Sequence, residues 1–343
     1  VGFVMPFRGK QRSDLTPAQA FWGDLTPPGG NTHSGRGWSF YTRLMMCPRR
    51  FYFGEIQDID VERLDGSARG KGRDIGTYSH WLKHTFFGEM GHAPMSEEAR
   101  DAALAAIDRM RELPGCEDDA AQARELFLGW LEHYSVLDRA NYDVVGREVL
   151  LSTGVDPSTE YEYTSRLDVV LRAKYPKRKP KERALTIVPQ DERVIATLEF
   201  KHQTKLSEKM MLAANLNGQL MGELYLAQRH APAEWYLPDG EPRAKAIFYD
   251  VTVVKKSPDY LREPVVFTDY EMERWQHSCR SAWALRGFYA AQGWPLWHSA
   301  CQHRYPGDPP NLCDFHQLCL QGEELDLENL PLGLKRRGLK VIP

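Results

Sequence analysis

The chain has 343 residues, 42% of them hydrophobic and 27% charged, with a formal net charge of −3. That length suits one large domain or two, and the composition excludes a low-complexity or fibrous chain. The near-neutral balance excludes nucleic-acid binding by bulk charge, so a DNA contact would need a local patch, and no apolar run reaches the length of a membrane span. The first residues do not form a charged-then-apolar export signal, so a cytoplasmic location is expected. Six cysteines in a reducing compartment point to metal binding more often than to disulfides.

Residues 1–36, rich in Gly, Pro, Ser and Thr, read as an extended arm. A short helix is predicted from Ser39 to Met46 and a second from Pro48, since proline suits a first helical turn. Gly70 to Asp74 reads as a polar loop. A helix follows from Ile75 to about Phe87. Ser96 to Leu113 is predicted as an amphipathic helix with Ser96 as N-cap and acids in the first turn, and Asp118 to Asn141 as another. These two form a helical insertion over about 96–141. Strands are predicted at 144–152, 162–172, 185–188 and 194–201. A long helix is expected from Leu206 to about Gln228, with Leu212, Leu216, Leu220 and Leu224 in one stripe. A strand at 244–254 and a helix at 267–291, entered through Thr268 and Asp269, complete the order. Residues 294–343 are irregular. No internal repeat is present.

Two strands carry acids on otherwise apolar faces. In Thr197-Leu198-Glu199-Phe200-Lys201, alternation puts Glu199 and Lys201 on the face of Thr197, with Leu198 and Phe200 on the other. An edge strand with its polar face in water would explain this; burial would demand compensation for both charges. Asp168, in Leu167-Asp168-Val169-Val170, repeats the pattern. Asp168 and Glu199 together are an oxygen pair suited to Mg²⁺ or Mn²⁺. Such an ion activates water for attack on a phosphodiester, and Lys201 could orient or deprotonate that water or offset charge. His80 stands in Gly76-Thr77-x-x-His80. A lone helical histidine is more often a satisfied core or surface residue.

Four thiolates can hold a [4Fe–4S] cluster or a tetrahedral zinc. Cys47 stands alone, while Cys301, Cys313 and Cys319 stand together with His298, His303 and His316 nearby. Their spacing matches neither a zinc ribbon nor a ferredoxin. Cys116 and Cys279 read as ordinary buried cysteines.

Cys47-Pro-Arg-Arg-Phe51, Gly76-Thr-x-x-His80, Leu167-Asp168-Val169 and Glu199-Phe200-Lys201 occur in an order that resembles the RecB-like nucleases of the PD-(D/E)XK superfamily. That group includes CRISPR adaptation nucleases, AddB-type helicase-nuclease subunits and phage exonucleases. The resemblance runs in patches from about Ser39 to Cys319. It implies an α/β, restriction-endonuclease-like core, a mixed central sheet flanked by helices, spanning 37–330. It also implies metal ligation by His80, Asp168, Glu199 and the Phe200 carbonyl, with Lys201 catalytic. The family's Gln-x-x-x-Tyr is matched by Gln219 but not four residues on, where Glu223 stands. Tyr225 is the nearest tyrosine, and six residues do not share a helical face. The cysteine set resembles the family's iron staple, one Cys before the core and three after it, in a segment over 294–320. Here the usual Cys-x-x-Cys step is stretched to eleven intervening residues, while the x5 step from Cys313 to Cys319 is kept. Zinc is the alternative occupant.

The run Arg172-Ala-Lys174-Tyr-Pro-Lys177-Arg178-Lys179-Pro-Lys181 follows the Asp168 strand. It reads either as a solvated hairpin tip or as a phosphate-contacting patch, extended by Arg49, Arg50, Lys205 and Lys209. Tyr52, Phe53 and Trp81 suit base stacking or core packing equally. The resemblance implies a Mg²⁺- or Mn²⁺-dependent deoxyribonuclease, an exonuclease on single-stranded DNA or duplex ends in recombination, repair or defence. A helicase, recombination or defence protein would be its partner. The alternative is a catalytically silent DNA-binding or scaffold subunit.

Overall fold

The computed structural model describes residues 37–57, 59–61, 71–88, 91–113, 115–154, 162–174, 195–203, 217–230, 232–235, 244–296, 302–303, 311–312, 315, 318–319, 330 and 334–336. Several expectations lie outside them: the arm over 1–36, the basic residues Lys177, Arg178, Lys179, Lys181, Lys205 and Lys209, the strand at 185–188, Cys301 and Cys313, and His298 and His316.

The chain breaks early where proline dictates. Helix α1 (Trp38–Met46) stops at Cys47, whose φ of −160° and ψ of 116° are extended, and α2 (Pro48–Phe51) restarts with proline in its first turn. A π-helical turn (Tyr52–Ile56) leads to β1 (Ile59–Val61). Helix α3 (Lys71–Phe86) begins four residues before the expected start, so 71–74 are helical rather than loop. Helices α4 (Glu97–Arg111) and α5 (Glu117–Asn141) follow. Ser96 caps α4 by accepting the Ala99 N–H at 3.0 Å.

Five strands form the central sheet: β2 (Tyr142–Gly154), β3 (Glu162–Ala173), β4 (Ile195–Gln203), β5 (Ala244–Val253) and β6 (Asp259–Val265). Their spatial order is the chain order, and every pair is antiparallel except β4 with β5. That parallel pair needs a crossover, which contains α6 (Gly218–Arg229). Of the helix expected from Leu206 to about Gln228, residues 206–216 lie outside the described residues; Asn217 is extended (φ −78°, ψ 105°) and caps α6 by accepting the Gln219 N–H. The sequence reading lacked β6. Only its last residue is buried, so no apolar alternation marks it. Helix α7 (Asp269–Ala291) opens with a capping box between Thr268 and Glu271.

The result is a mixed sheet flanked by helices, an α/β fold. One core lies between the sheet and α1, α6 and α7, and includes Phe40, Leu220, Leu224, Trp275 and Val170. The other lies beneath α3, α4 and α5, and includes Leu82, Phe127, Trp130, Leu198 and Phe200. Strand β4 is central in the sheet, so its polar face is not an edge in water. A third, small cluster joins Phe53 and Ile59 to Phe315 and Leu318, and β1 pairs antiparallel with β9 (Leu334–Arg336). Two two-residue strands, β7 (Gln302–His303) and β8 (Asn311–Leu312), pair with each other. Among the described residues no helix is long and apolar enough to cross a membrane.

Candidate metal centre

The site forms where two strands part. The β3–β4 ladder pairs Arg172 with Ile195 through Val169 with Leu198 and stops there. Asp168 and Glu199 are the next residues on each strand. The Phe200 N–H no longer has a ladder partner on β3 and donates to Asp168 Oδ2 at 3.0 Å. A strand residue points its N–H and C=O to the same side. The Phe200 carbonyl therefore also faces the gap beside Asp168. Both acids are buried, Asp168 at 7% and Glu199 at 3% exposure.

A third acid enters from β2. The register that pairs Arg147 with Val169 and Val149 with Leu167 sets Glu148 across from Asp168. Like charges directly opposite are destabilising without a cation between them. Glu148 also has a φ of 46°, left-handed backbone that costs a non-glycine residue about 1 kcal/mol. Its carboxylate is divided between partners. Arg166 Nε lies 2.5 Å from Oε2, and His84 Nε2 lies 3.0 Å from Oε1. His80 Nε2 is 3.7 Å from Glu148 Oε1 and 3.8 Å from Asp168 Oδ1. His80 and His84 are one helical turn apart on α3, with ring centroids 4.3 Å apart. One ligand atom from each of His80, His84, Glu148 and Asp168 lies within 4.8 Å of the others, a group that could hold a divalent metal ion.

On the Glu199 side, Lys201 Nζ contacts Glu199 Oε1 and stands 3.4 Å from Gln219 Oε1. Gln219 Nε2 donates to Glu199 Oε1 at 2.8 Å and to Glu223 Oε1 at 2.9 Å. The helix turn places Gln219 and Glu223 together, and Glu223 is buried at 1% exposure rather than surface. Burial, then the charge of Asp168, push Glu199 up to about 7 against the pull of Lys201. Burial and the charge of Glu199 push Glu223 well above the usual carboxylate range. Burial lowers the Lys201 ammonium, but Glu199 outweighs it and the net shift is upward. Burial lowers His80, but Asp168 and Glu148 outweigh it and hold its imidazole above the ordinary value. Burial raises Glu148, but its histidine partners and Arg166 take it well below the usual range. The pocket therefore sets buried carboxyls against one another, and a cation bound between them would relieve that repulsion.

No family model matches the chain, and no curated protein matches it. Solved structures do. The chain is similar to the crystal structure named "Putative exonuclease" from Eubacterium rectale, at 11% identity and a TM-score of 0.45, over 93% of this chain and 96% of that one.

Beneath the site, on the Phe200 side, a second ionic group is fully enclosed. Lys83 donates to Asp250 Oδ1 at 2.8 Å and Thr252 Oγ1 at 3.0 Å, and its ammonium lies 4.7 Å from the Phe200 ring centre. Arg262 joins Asp250 (2.8 Å) to Asp138 (2.6 Å), and Trp130 Nε1 adds a donor to Asp250. Each charge has an opposite partner, so this group supports the floor of the site and leaves no surplus.

The remaining predicted residues scatter. Arg49 lies over the Tyr52 and Phe53 rings, and its Nη1 donates to the Gly293 carbonyl at 3.1 Å. Arg50 is half-buried next to it. Lys174 donates to the Arg139 carbonyl at 2.6 Å. Tyr225, expected to reach the site or DNA, is buried in the core with its ring 5.4 Å from Trp275. Six helical steps turn it about 240° from Gln219. Phe53 is fully buried, so it packs rather than stacks on bases. Cys116 and Cys279 are buried as expected, and Cys47 is buried at the α1–α2 break. Cys319 packs beside the Phe53–Phe315 cluster. Sequence reading missed His84 and Glu148. Both left a signal: His84 is four residues after His80, and Glu148 is a third acid in a strand of mostly apolar residues.

Proposed function

We propose that this chain is a Mg²⁺- or Mn²⁺-dependent deoxyribonuclease, an exonuclease on single-stranded DNA or duplex ends. The observation that carries the reading is the gap between β3 and β4, where two buried carboxylates meet one lysine and one glutamine. Asp168, Glu199, the Phe200 carbonyl and His80 would hold the ion there, and it would supply water activation and charge neutralisation at the scissile phosphate. The protein groups do the rest. Gln219 fixes the Glu199 carboxylate by donating to Oε1. Asp168 is aimed by the Phe200 N–H. Lys201 is held protonated by Glu199, so it orients the attacking water and offsets developing negative charge rather than removing a proton. Arg49, Arg50 and the basic run through Lys174 to Lys181 serve as phosphate contacts, with a recombination, repair or defence assembly as the setting.

In the same reading Cys47, Cys301, Cys313 and Cys319 hold a [4Fe–4S] cluster. Its support is the closure of the chain ends: the segment after Cys47 packs through Phe53 on Phe315, four residues before Cys319, and β1 pairs with β9. Absorbance near 400 nm in protein purified without oxygen supports it, and colourless protein with stoichiometric zinc refutes it.

Degradation of end-labelled single-stranded and duplex DNA, with Mg²⁺ and with Mn²⁺, tests the activity. Lys201→Ala should lower the rate by about 10²–10⁴ with secondary structure unchanged. Activity equal in wild type and variant, or absent from both, overturns the reading and leaves the silent DNA-binding subunit.

A further inference from the structure

The acids and imidazoles of this cleft exceed what one ion uses. We propose that His84 and Glu148, with Asp168 and His80, form a second metal position that selects a first-row transition ion such as Mn²⁺, Fe²⁺, Co²⁺ or Zn²⁺. The proposal rests on the reading of Asp168 and Glu199 as ligands of the hydrolytic ion, and it adds a second, chemically different ion beside it.

Three observations carry it. The first is convergence: the ligand atoms of the four residues lie within 4.8 Å of one another. Ligands about 2.0–2.2 Å from one ion are about 3.3–3.6 Å apart in a tetrahedral set and up to about 4.4 Å apart when trans, so closure needs side-chain shifts of about 0.4–1.5 Å. The second is His84. It is 1% exposed, its Nδ1 has no partner, and its Nε2 has only the carboxylate oxygen Oε1 of Glu148, 3.0 Å away, which it faces together with His80. Two enclosed imidazoles that share one carboxylate oxygen are under-satisfied, and an ion bound between them and Glu148 would complete both. The third is the setting of Glu148. Arg166 occupies Oε2 at 2.5 Å, leaving Oε1 for the histidines, and the backbone is held at φ 46° to aim it.

The donor set determines the class of ion. Two imidazoles with two carboxylates suit borderline transition metals, whereas Mg²⁺ prefers oxygen and keeps its waters. In this arrangement His80 passes to the second position, because its Nε2 faces both Glu148 Oε1 and Asp168 Oδ1, and the hydrolytic position keeps Glu199, the Phe200 carbonyl and one oxygen of Asp168, which offer only oxygen. Asp168 can serve both positions, because Oδ2 takes the Phe200 N–H while Oδ1 faces His80. The cleft therefore has an oxygen half toward α6 and an imidazole half toward α3.

Bound Mn²⁺ per chain, read from the loss of the free Mn²⁺ electron-spin signal, tests this without reference to activity. The full chain should bind two equivalents, and excess Mg²⁺ should displace only one. His84→Asn and Glu148→Gln should each bind one equivalent that Mg²⁺ displaces. Arg166→Gln should weaken the Mg²⁺-resistant equivalent by about 10–100-fold. Lys201→Ala should keep both. One equivalent or none in the wild type overturns the proposal, as does unchanged stoichiometry in His84→Asn and Glu148→Gln variants that melt as the wild type does. If the wild type binds two equivalents but does not degrade DNA, the second position stands and the nuclease reading fails.

Discussion

Replacing Glu199 by Gln should stabilise the metal-free protein above neutral pH and remove one ligand of the proposed hydrolytic ion. Glu199 is 3% exposed and faces the charge of Asp168, and burial with that charge pushes it up to about 7 from an ordinary 4.5. A carboxyl raised on folding binds its proton more tightly in the native state. Its stabilising contribution is complete below about pH 4.5, falls as pH rises, and is gone above about pH 7. At about 1.4 kcal/mol per pH unit the interval is worth of the order of 3 kcal/mol. The glutamine keeps an oxygen for the Gln219 and Lys201 donors and carries no charge against Asp168 or Glu223. Urea unfolding with EDTA at pH 5 and pH 8 should show the wild type losing about 3 kcal/mol more than Glu199→Gln between the two values. At pH 8 the variant should melt about 4 °C higher. Mn²⁺ at a hundred times its dissociation constant should return about 2.7 kcal/mol to the wild type. A variant no more stable than wild type at pH 8, or with the same pH dependence, would refute the account of Glu199 as a carboxylate held against its own solvation for a cation.

Two further outcomes test the frame that holds the site. Lys83→Met removes the ammonium that donates to Asp250 at 2.8 Å and leaves a fully buried carboxylate short of one partner, at a cost of about 3 kcal/mol in urea unfolding. A loss under 1 kcal/mol would show that Arg262 and Trp130 suffice. Gly222→Ala places a methyl carbon 2.2 Å from Tyr163 Oη, between α6 and β3. Tyr163 is fixed against Tyr41 and Trp275, so the clash should cost about 1–3 kcal/mol in thermal unfolding and widen the α6–sheet spacing that positions Gln219. A neutral substitution would show that the ring is free to yield.

The local elements were legible because their signals are local. Pro48 restarts a helix after Cys47, Ser96 and Thr268 cap helices, and alternation separates Glu199 and Lys201 from Leu198 and Phe200. Strand β6 was not legible, because an edge strand with charged residues and a proline shows little periodicity. Nor was the Asn217 cap of α6, which the leucine stripe hid. The acids of β3 and β4 were visible as charges in apolar strands, and His80 by its Gly-Thr phrase.

The sequence by itself determined which residues could do metal chemistry: Asp168, Glu199 and Lys201 are polar where their strands are otherwise apolar, and strand period alone sets their faces. Only the tertiary structure decided that they meet. The β3–β4 ladder ends at Val169 and Leu198, so the next two carboxylates face a gap instead of a hydrogen-bonded neighbour. Register across β2 and β3 adds Glu148, and the helical turn from His80 adds His84. The step between the two histidines is local, but their meeting with Glu148, Asp168 and Glu199 joins residues far apart in the chain, fixed by register and helix packing.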